Sequence, residues 1–413
     1  MSTSLIGRAQ EKGDLCITLQ NILALCAPKE RPDSPTYGPG AGMLLRPEII
    51  ERAIKTHEER LGPAYKIFFS PHGKKLTQTM LKEFARTLLE KKHIMLLPAR
   101  YEGMDARVEE EYADAIISVG DFVLMGGDIP AMTLLEGMLR YVPGVVGREE
   151  SVEQDSFSGP LVDYPEYTEP LEWHGKRVPD IIRSGNHKEI AQWRYRQALE
   201  RTVYGHFDWL RTHPISDGLR DDALAAMPKH YVALMHDGVK LKDGRVGTSS
   251  VTSIDLHDIA RSCCTYGIEQ FFVVTPLKDQ QTIVRTLMDF WLNEGLQYNA
   301  HRFQAMQRVV LINQLDEAIA AIEKTTGLKP LVIGTSAQSH DGVPMVSYSD
   351  QAIVWKHKRP VLILFGTAFG MSDALIGRCD YLFPTIQGFS AFNHLSVRSA
   401  AAIVLDRWLS HGR

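Results

Sequence analysis

Two glycine-bearing stretches in the first hundred or so residues contain residue types that can bind a small polar ligand. YGPGAGM, at Tyr37–Met43, has three glycines in five residues, and glycine lets a backbone turn tightly and approach a ligand. ARYEGMD, at Ala99–Asp105, presents an arginine, an aromatic ring and a carboxylate directly after an apolar run. Each also has an ordinary interpretation. The first is typical of a simple turn, and the second of a loop held by a surface salt bridge.

Two further stretches add a backbone site and a carboxylate. SVGDFVLMGGDIPAM, at Ser118–Met132, is predicted to contain a short apolar strand flanked by glycines, followed by a helix that starts at Pro130. Paired glycines at such a turn expose N–H and C=O groups to a small ligand. Glu153–Phe157 places Asp155 in a polar segment, where a lone aspartate is usually a cap or a solvated charge.

The second half of the sequence has comparable motifs. LFGTAFGMSD, at Leu364–Asp373, is a glycine-rich loop after an apolar run, and Pro384–Ile403 leads into a helix with Asn393 and Ser396 near its start. Glycines at these positions leave room for a ligand that lies across strand ends. The alternative is that the glycines serve tight turns, while Asn393 and Ser396 only cap the helix.

A basic segment lies between the two halves. From His174 to His213 there are eight Lys and Arg residues against four acids, and Asn186 or Ser184 can cap a helix there. The segment is interpreted either as a solvated helix face or as a surface that follows nucleic-acid phosphates. Since the whole chain has a formal net charge of -4, a nucleic-acid partner would have to be bound by such a local patch.

The motifs need a scaffold that brings loops together, and the alternation of apolar and amphipathic segments predicts α/β sheets. In the first half, KIFFS (Lys66–Ser70) and HIMLLPA (His93–Ala99) are predicted to be buried parallel strands. Helices are predicted at Asp279–Leu296 and Ser396–Leu409. Five strands are predicted in the second half, at HYVALMH, QFFVVTP, RVVLI, PLVIGT and PVLILFGT.

Composition limits the class of protein. With 413 residues, 44% hydrophobic and 23% charged, the chain predicts two or three ordinary globular domains. The five cysteines form no CxxC pair and the histidines show no ligand spacing, so reduced thiols and no structural metal site are expected. No signal peptide and no membrane-spanning apolar run is visible, which predicts a cytoplasmic enzyme without a membrane partner.

The four stretches of the first half resemble, in order and spacing, the bacterial tRNA guanine-37 N1-methyltransferases of the SPOUT superfamily. The resemblance covers Leu5 to Arg211, and IIRSGNHKEIAQWRYRQALERT resembles that family's tRNA-binding helical domain. It implies a trefoil-knotted α/β domain, an obligate homodimer, S-adenosylmethionine bound in the knot, and tRNA as the substrate. The family's first strand precedes the position of Leu5, so either the sequence starts at an internal position or this strand is missing. Pro98–Ala99 replaces a usual Cys-Gly-like pair.

The resemblance also assigns residues to roles. Asp155 matches the family's proposed general base, Arg140 its catalytic arginine, and Glu102 a carboxylate linked to Mg²⁺ dependence. A carboxylate can accept the N1 proton of guanine as the methyl group transfers, and a cation near O6 stabilises the charge that develops. The cofactor pocket is expected to use Phe68, Phe69, Ser70, Pro71, Ala99, Arg100, Tyr101, Gly103, Val119, Gly120, Asp121, Phe122, Val123, Leu124, Gly126, Gly127 and Pro130. The tRNA contacts are expected at Arg183, Asn186, His187, Arg194, Arg196 and Arg201.

The second half looks like another SPOUT methyltransferase domain, from about His230 to the end of the chain. The resemblance implies a second cofactor pocket, with Arg261, Asn393 and Ser396 at catalytic-motif positions. The other residues expected there are Thr335, Ser336, Phe365, Gly366, Thr367, Gly370, Ile386, Gly388 and Leu395.

The predicted fold class is therefore α/β, with two knotted SPOUT-like domains and a small helical domain between them. The predicted boundaries are 1–147 for the first methyltransferase domain, 148–163 for a linker, 164–228 for the helical tRNA-binding domain and 229–413 for the second methyltransferase domain. The alternative for the last domain is a catalytically silent module for dimerisation or RNA docking. A nucleotide-binding oxidoreductase would need a GxGxxG after the first strand, and the sequence has none so placed.

Overall fold

The computed structural model describes residues 4–39, 42–146, 155–338 and 340–412. The chain forms two compact units, Met1–Gly159 and Pro160–Arg413, called unit 1 and unit 2 below. Part of the predicted linker 148–163 lies outside the described residues. Among the helices in the described ranges, none has the length and apolar character needed to cross a membrane.

Unit 1 is built on a three-stranded parallel sheet in the order β4-β3-β5. The central strand β3 is buried on both faces. Ile67 and Phe69 point into one core with the helices α3 and α5, while Phe68 points into the other core with α2. The strands of unit 1 are β1 (Asp33–Pro35), β2 (Met43–Leu45), β3 (Tyr65–Lys75), β4 (Ile94–Leu97) and β5 (Ala115–Ser118). The helices are α1 (Ser4–Lys12), α2 (Pro47–Leu61), α3 (Gln78–Lys91), α4 (Ala106–Tyr112) and α5 (Asp128–Leu139), with a 3₁₀ turn at Ile22–Leu25.

Both predicted strands of the first half are confirmed as β3 and β4, but the apolar strand expected between the glycines of Ser118–Met132 is wrong. The chain folds into a turn because the Ser118 hydroxyl accepts from the Gly120 N–H at 3.3 Å and donates to the Gly120 carbonyl at 3.0 Å. The apolar residues that follow extend into solvent, with Met125 97% exposed. The helix expected at Pro130 begins at Asp128.

Unit 2 contains a six-stranded parallel sheet in the order β12-β11-β8-β14-β13-β15. Apolar clusters cover both faces, as the continuous hydrophobic strands require. The five predicted strands are confirmed, and the two-residue β15 was too short to predict. The strands of unit 2 are β6 (Glu172–Trp173), β7 (Lys176–Arg177), β8 (His230–Met235), β9 (Val239–Lys240), β10 (Val246–Gly247), β11 (Gln270–Val274), β12 (Val309–Ile312), β13 (Leu331–Gly334), β14 (Val361–Gly366) and β15 (Tyr381–Leu382).

Three helices of the segment 164–228 pack onto this sheet domain. Leu199, Val203, Phe207 and Leu210 belong to the same buried cluster as the sheet residue Val361, so the two segments share a core. Asn186 caps the first helix by accepting from Glu189 N–H. The helices of unit 2 are α6 (His187–Gly205), α7 (Phe207–Thr212), α8 (Asp217–Ala226), α9 (Ser253–Thr265), α10 (Lys278–Asn293), α11 (Gly295–Tyr298), α12 (Ala300–Met306), α13 (Leu315–Thr326), α14 (Gln351–Trp355), α15 (Asp373–Ile376) and α16 (Val397–Leu409), with a 3₁₀ turn at Asp180–Arg183. The two helices predicted in the second half are confirmed as α10 and α16.

Candidate active sites

The loops that follow β4 and β5 meet at the carboxyl edge of the sheet in unit 1. The Gly127 N–H donates to the Ala99 carbonyl at 2.7 Å, and Arg100 forms an isolated β-bridge with Gly126. The Arg100 guanidinium pairs with Asp128 at the start of α5. A Cβ on Gly127 would lie 2.8 Å from Ala99 N, so glycine is needed for this approach of the two loops. The structure thus brings the second and third predicted loops together where parallel sheets bind ligands.

The glycine stretch at Tyr37–Met43 packs against the loop that carries Glu102. The Glu102 N–H donates to the Met43 carbonyl at 3.2 Å, and a Cβ on Gly42 would lie 2.3 Å from Glu102 Cγ. Gly42 also has a φ of +145°, a conformation that favours glycine. This glycine therefore allows the close approach of the Glu102 side chain. Gly40 and Ala41 of the same stretch lie outside the described residues.

The predicted cofactor residues differ in what they can offer a ligand. Phe68 and Phe69 have their side chains buried in the two cores, so they can present only backbone groups. Ser70 and Pro71 lie where the β3–β5 register shifts and are accessible. Exposed apolar side chains follow β5, at Phe122, Val123 and Leu124. Apolar surface beside the backbone of two converging loops suits a ligand with an aromatic base and a polar tail, as S-adenosylmethionine has.

Arg140 and Asp155, the expected catalytic arginine and general base, form an ion pair. Arg140 directly follows α5, and its side chain is 45% exposed, while that of Asp155 is 30% exposed. The pair is therefore accessible to a substrate. It also restricts the orientation of the Asp155 carboxylate, because the guanidinium binds one of its oxygens.

A cavity of about 780 Å³ lies at the carboxyl edge of the sheet in unit 2. The walls come from the loops after β13, β14 and β15 and from the start of α16, and the volume is in the range of small-molecule sites. Arg261 and Gly388 do not line it. Arg261 is exposed on α9, nearly two turns after Asp255, whose carboxylate does line the cavity. The predicted residues that line it are Thr335, Ser336, Phe365, Gly366, Thr367, Gly370, Ile386, Asn393, Leu395 and Ser396.

The glycines of this cavity are required by the path of the backbone and not by the space that a ligand would need, which is what the sequence suggests. A Cβ on Gly366 would lie 2.7 Å from the backbone N of Met371, so this glycine is needed for a tight return of the chain rather than for ligand space. Gly370 has a φ of +98°, which strains any other residue. Ser396 does cap α16, whereas the Asn393 amide donates to the Ala337 carbonyl at 3.1 Å and joins two loops of the cavity.

Sequence reasoning missed several polar residues of the cavity. Asp255 is 9% exposed and is held by the Thr252 hydroxyl at 2.6 Å and by Arg398 at 3.1 Å. The Ser249 hydroxyl contacts the Thr367 hydroxyl at 2.5 Å and His236 Nδ1 at 3.1 Å. The hydroxyl-rich run Gly247–Ser253, directly before a helix, is the signal that could have found them.

The predicted tRNA-binding residues lie on the outer side of α6 and just before it. Arg183, His187, Arg196 and Arg201 are exposed. Arg194 is half-buried, with its guanidinium 4.6 Å from the centre of the Tyr164 ring. Most of this set is thus accessible to a polyanion, while Arg194 also has a packing role.

Comparison with known proteins gives two family matches and full-length relatives. Residues 1–212 match the family described as tRNA (guanine-1)-methyltransferase, and residues 229–410 match the family described as SAM-dependent RNA methyltransferase. The chain is similar to the tRNA (guanine-N(1)-)-methyltransferases of Nitratidesulfovibrio vulgaris, at 38% identity, and Oleidesulfovibrio alaskensis, at 36% identity. In both cases 99% of this chain and 95% of the relative are covered.

Shorter relatives match the first half alone. The enzyme of the same name from Thermus thermophilus is 42% identical over 49% of this chain and 82% of its own length. The first family match covers half of the chain, and the full-length relatives extend through the second half. The resemblance seen in the sequence is confirmed: the chain belongs to the tRNA (guanine-1)-methyltransferase family and carries a C-terminal domain of the SAM-dependent RNA methyltransferase family.

Proposed function

We propose that this protein transfers a methyl group from S-adenosylmethionine to N1 of a guanine in tRNA, and that the guanine is nucleotide 37, beside the anticodon. The observation that carries the proposal is the match of almost the whole chain to two relatives that are named as tRNA (guanine-N(1)-)-methyltransferases. The accessible Arg140–Asp155 pair in unit 1 supports it, because the reaction needs a proton acceptor and a cation near one purine.

In this mechanism Asp155 accepts the proton that leaves guanine N1. Arg140 keeps the carboxylate in place and stabilises the negative charge that develops at O6. The cofactor, when bound, supplies a methyl group on a sulfonium, which is already activated and needs no covalent enzyme intermediate. Glu102 is the carboxylate that would contribute to holding Mg²⁺ if the reaction requires this ion. The loops after β3, β4 and β5 hold the cofactor through backbone groups, and Phe122 and Val123 provide apolar surface.

The active form is an obligate homodimer with sites built from two subunits, and each sheet domain contains a trefoil knot. A run of exposed apolar side chains, Phe122 to Met125, supports a covered surface beside the first site. In unit 2, the Asn393 side chain donates a hydrogen bond to Ala337 in the loop after β13. The C-terminal segment therefore runs beside an earlier loop, as a knotted chain requires.

The cavity of unit 2 is a second methyltransferase site that acts on RNA. Its volume and its mixture of apolar and hydroxyl-bearing walls favour this interpretation over a silent module for dimerisation or RNA docking.

The test is methylation of an unmodified tRNA transcript, with the modified nucleosides mapped by mass spectrometry. The full chain should form 1-methylguanosine at position 37 and none on a transcript with adenine there.

Asp155→Asn should lower this rate by roughly 10²–10⁴-fold, the usual contribution of a positioned base, and leave cofactor affinity unchanged. Asp217→Asn, an exposed carboxylate paired with Arg220, is the control and should keep the wild-type rate. A normal rate and pH profile in Asp155→Asn would remove Asp155 from the mechanism.

A further inference from the structure

The helices α6–α8 and the cavity of unit 2 belong to one packed body, and we propose that the cavity methylates a second nucleotide of the same tRNA that these helices bind. The inference rests on the proposed function, in which the basic face of α6 binds tRNA. It names the substrate of the second site, which the family description leaves as RNA.

The first step is that α6 and α7 are fixed to the sheet domain by their apolar faces. Val203, Phe207 and Leu210 are at most 6% exposed and belong to the core that also contains Trp355 and Trp408. The ring of Phe207 meets Trp355 edge-on, with 4.8 Å between centroids. Close packing of this kind leaves no freedom for the helices to swing as a separate module.

The second step is a polar clamp between α7 and the C-terminal end of α16. Arg211 is 5% exposed, and its guanidinium donates to the carbonyls of Asp406, Arg407 and Ser410 at 3.1, 2.9 and 2.9 Å. It also donates to the Ser410 hydroxyl at 2.7 Å. The last carbonyls of a helix have no partners within the helix and carry partial negative charge, so a guanidinium satisfies both needs.

The same helix also forms a wall of the cavity, from its N-terminal cap to Val404. Ser396, which caps α16, lines the cavity together with Val397, Ala400 and Val404 of the helix. A helix of 13 residues is about 20 Å long at 1.5 Å per residue. One rigid helix therefore carries both the clamp of the RNA-binding helices and a wall of the cavity, which fixes the cavity relative to those helices.

The exposed surfaces of the helices and of the cavity rim differ in chemistry, the first being basic and the second aromatic. Arg183, Lys188 and Arg196 face solvent, and within the described ranges no carboxylate pairs with them, so their charge is available to phosphates. At the cavity, Phe369 is 65% exposed, and Phe389 and Phe392 of the loop between Ile386 and Asn393 are fully and 70% exposed. Exposed aromatic rings stack on unpaired bases, which places the target in a single-stranded part of the tRNA.

The reaction balances without a further reactant. A nitrogen or oxygen of the target nucleotide donates the electron pair that forms the new bond to the methyl carbon of S-adenosylmethionine. The bond from that carbon to the sulfonium sulfur breaks, and its electron pair stays on sulfur. The proton of the nucleotide passes to the Asp255 carboxylate or to water at the cavity, so the products are methylated tRNA and the neutral thioether.

The experiment uses the full chain with Asp155→Asn, which lowers the first activity by roughly 10²–10⁴-fold, and cofactor labelled in its methyl group. This variant should still label unmodified tRNA at one nucleotide other than guanine 37, found by mass spectrometry. Adding Ala400→Trp or Ala337→Trp, which fills the cavity from its helix wall or from its loop wall, should lower that labelling at least tenfold. Either substitution could destabilise the protein, which a lower unfolding midpoint would reveal. The other variant, if its midpoint is unchanged, then decides the result.

A second arm tests whether the helices and the cavity act on one molecule. In the otherwise wild-type chain, Arg183→Glu with Arg196→Glu should lower the rates of both methylations by a similar factor. Lys324→Glu with Lys329→Glu, an equal charge change on exposed residues at the end of α13 and beyond it, should lower neither.

Three results would overturn the inference. They are equal labelling of a ribosomal RNA fragment and of tRNA, no second product with Asp155→Asn, or a second product that is insensitive to the α6 reversal while the first falls. A wild-type chain that forms no 1-methylguanosine would instead contradict the proposed function, so the two failures can be told apart.

Discussion

Replacing Arg211 with methionine tests whether α6–α8 belong to the core of unit 2. Methionine keeps an apolar stem of similar length but removes all five N–H donors, so packing is nearly conserved and the polar clamp is lost. Four hydrogen bonds to the end of α16 disappear, all of them from a charged donor.

The expected loss follows from these contacts. A hydrogen bond that involves a charged group contributes about 1.5–3 kcal/mol to stability, and a buried acceptor left without a partner costs about 1–3 kcal/mol. The end of α16 is near the surface, so water can reach some of the freed carbonyls and the low end of each range applies. Removal of the buried guanidinium also regains part of its desolvation cost. We expect a decrease of about 3–5 kcal/mol in the free energy of unfolding of unit 2.

The chain has a natural reporter for this measurement. All six tryptophans lie between Trp173 and Trp408, so tryptophan fluorescence in urea follows unit 2 alone. Arg211→Met should lower the transition midpoint with an unchanged slope, because the same surface is exposed on unfolding. Arg220→Met, which removes an exposed ion pair on α8, is the control and should cost less than about 1 kcal/mol. A loss below about 1 kcal/mol for Arg211→Met would refute the clamp.

Three further outcomes are expected. Arg194→Glu with Arg196→Glu should weaken tRNA binding most at low salt and reduce the slope of affinity against salt, because fewer counterions are released; a slope equal to that of the wild type would mean a merely solvated face. A mixed dimer of an Asp155→Asn subunit and a Gly127→Trp subunit should regain part of the activity that each parent lacks, and no recovery in verified heterodimers would contradict a shared site. Burial lowers the pKa of His230 to about 4, below the unfolded value of about 6.5, so the unfolded chain binds the proton first as the pH falls. His230 therefore stabilises unit 2 fully above about pH 6.5, and between pH 7 and 5 its contribution should lower the unfolding free energy by about 2 kcal/mol. Urea titrations across that range check this, and a stability that rises as the pH falls would contradict it.

Most of the sheet scaffold could be predicted from the sequence because buried parallel strands are continuous apolar runs. KIFFS, HIMLLPA and the five runs of the second half all became strands. The failure at Phe122–Met125 has a clear cause. Apolar composition there reflects an exposed surface rather than a buried strand, and the Ser118 hydroxyl turns the chain before another strand can form.

The candidate sites were predictable to the extent that glycine positions and loop order indicate strand ends. Their detailed contacts were not. Gly42 is required by Glu102 Cγ, which no local pattern connects to it, whereas Gly366 is required by the Met371 backbone of its own loop. Asp255 was missed because its partners, Thr252 and Arg398, include a residue 143 positions away along the chain. Contacts of this range depend on topology, which single-sequence patterns do not contain.

The basic helices belong to one protein family by sequence but pack into the domain of another. Residues 1–212 match one family and residues 229–410 match another, so sequence comparison divides the chain after α7. The apolar core nevertheless runs across that division. The sequence of an amphipathic helix shows that one face is buried, but it does not show which element covers that face. Arg211 makes the same point about charge. It counts among the basic residues of its segment, yet it is buried against α16 and cannot reach a phosphate. A helix that matches the first family is thus a structural part of the second domain, and for that reason we expect a tRNA bound by these helices to be methylated by the second domain as well.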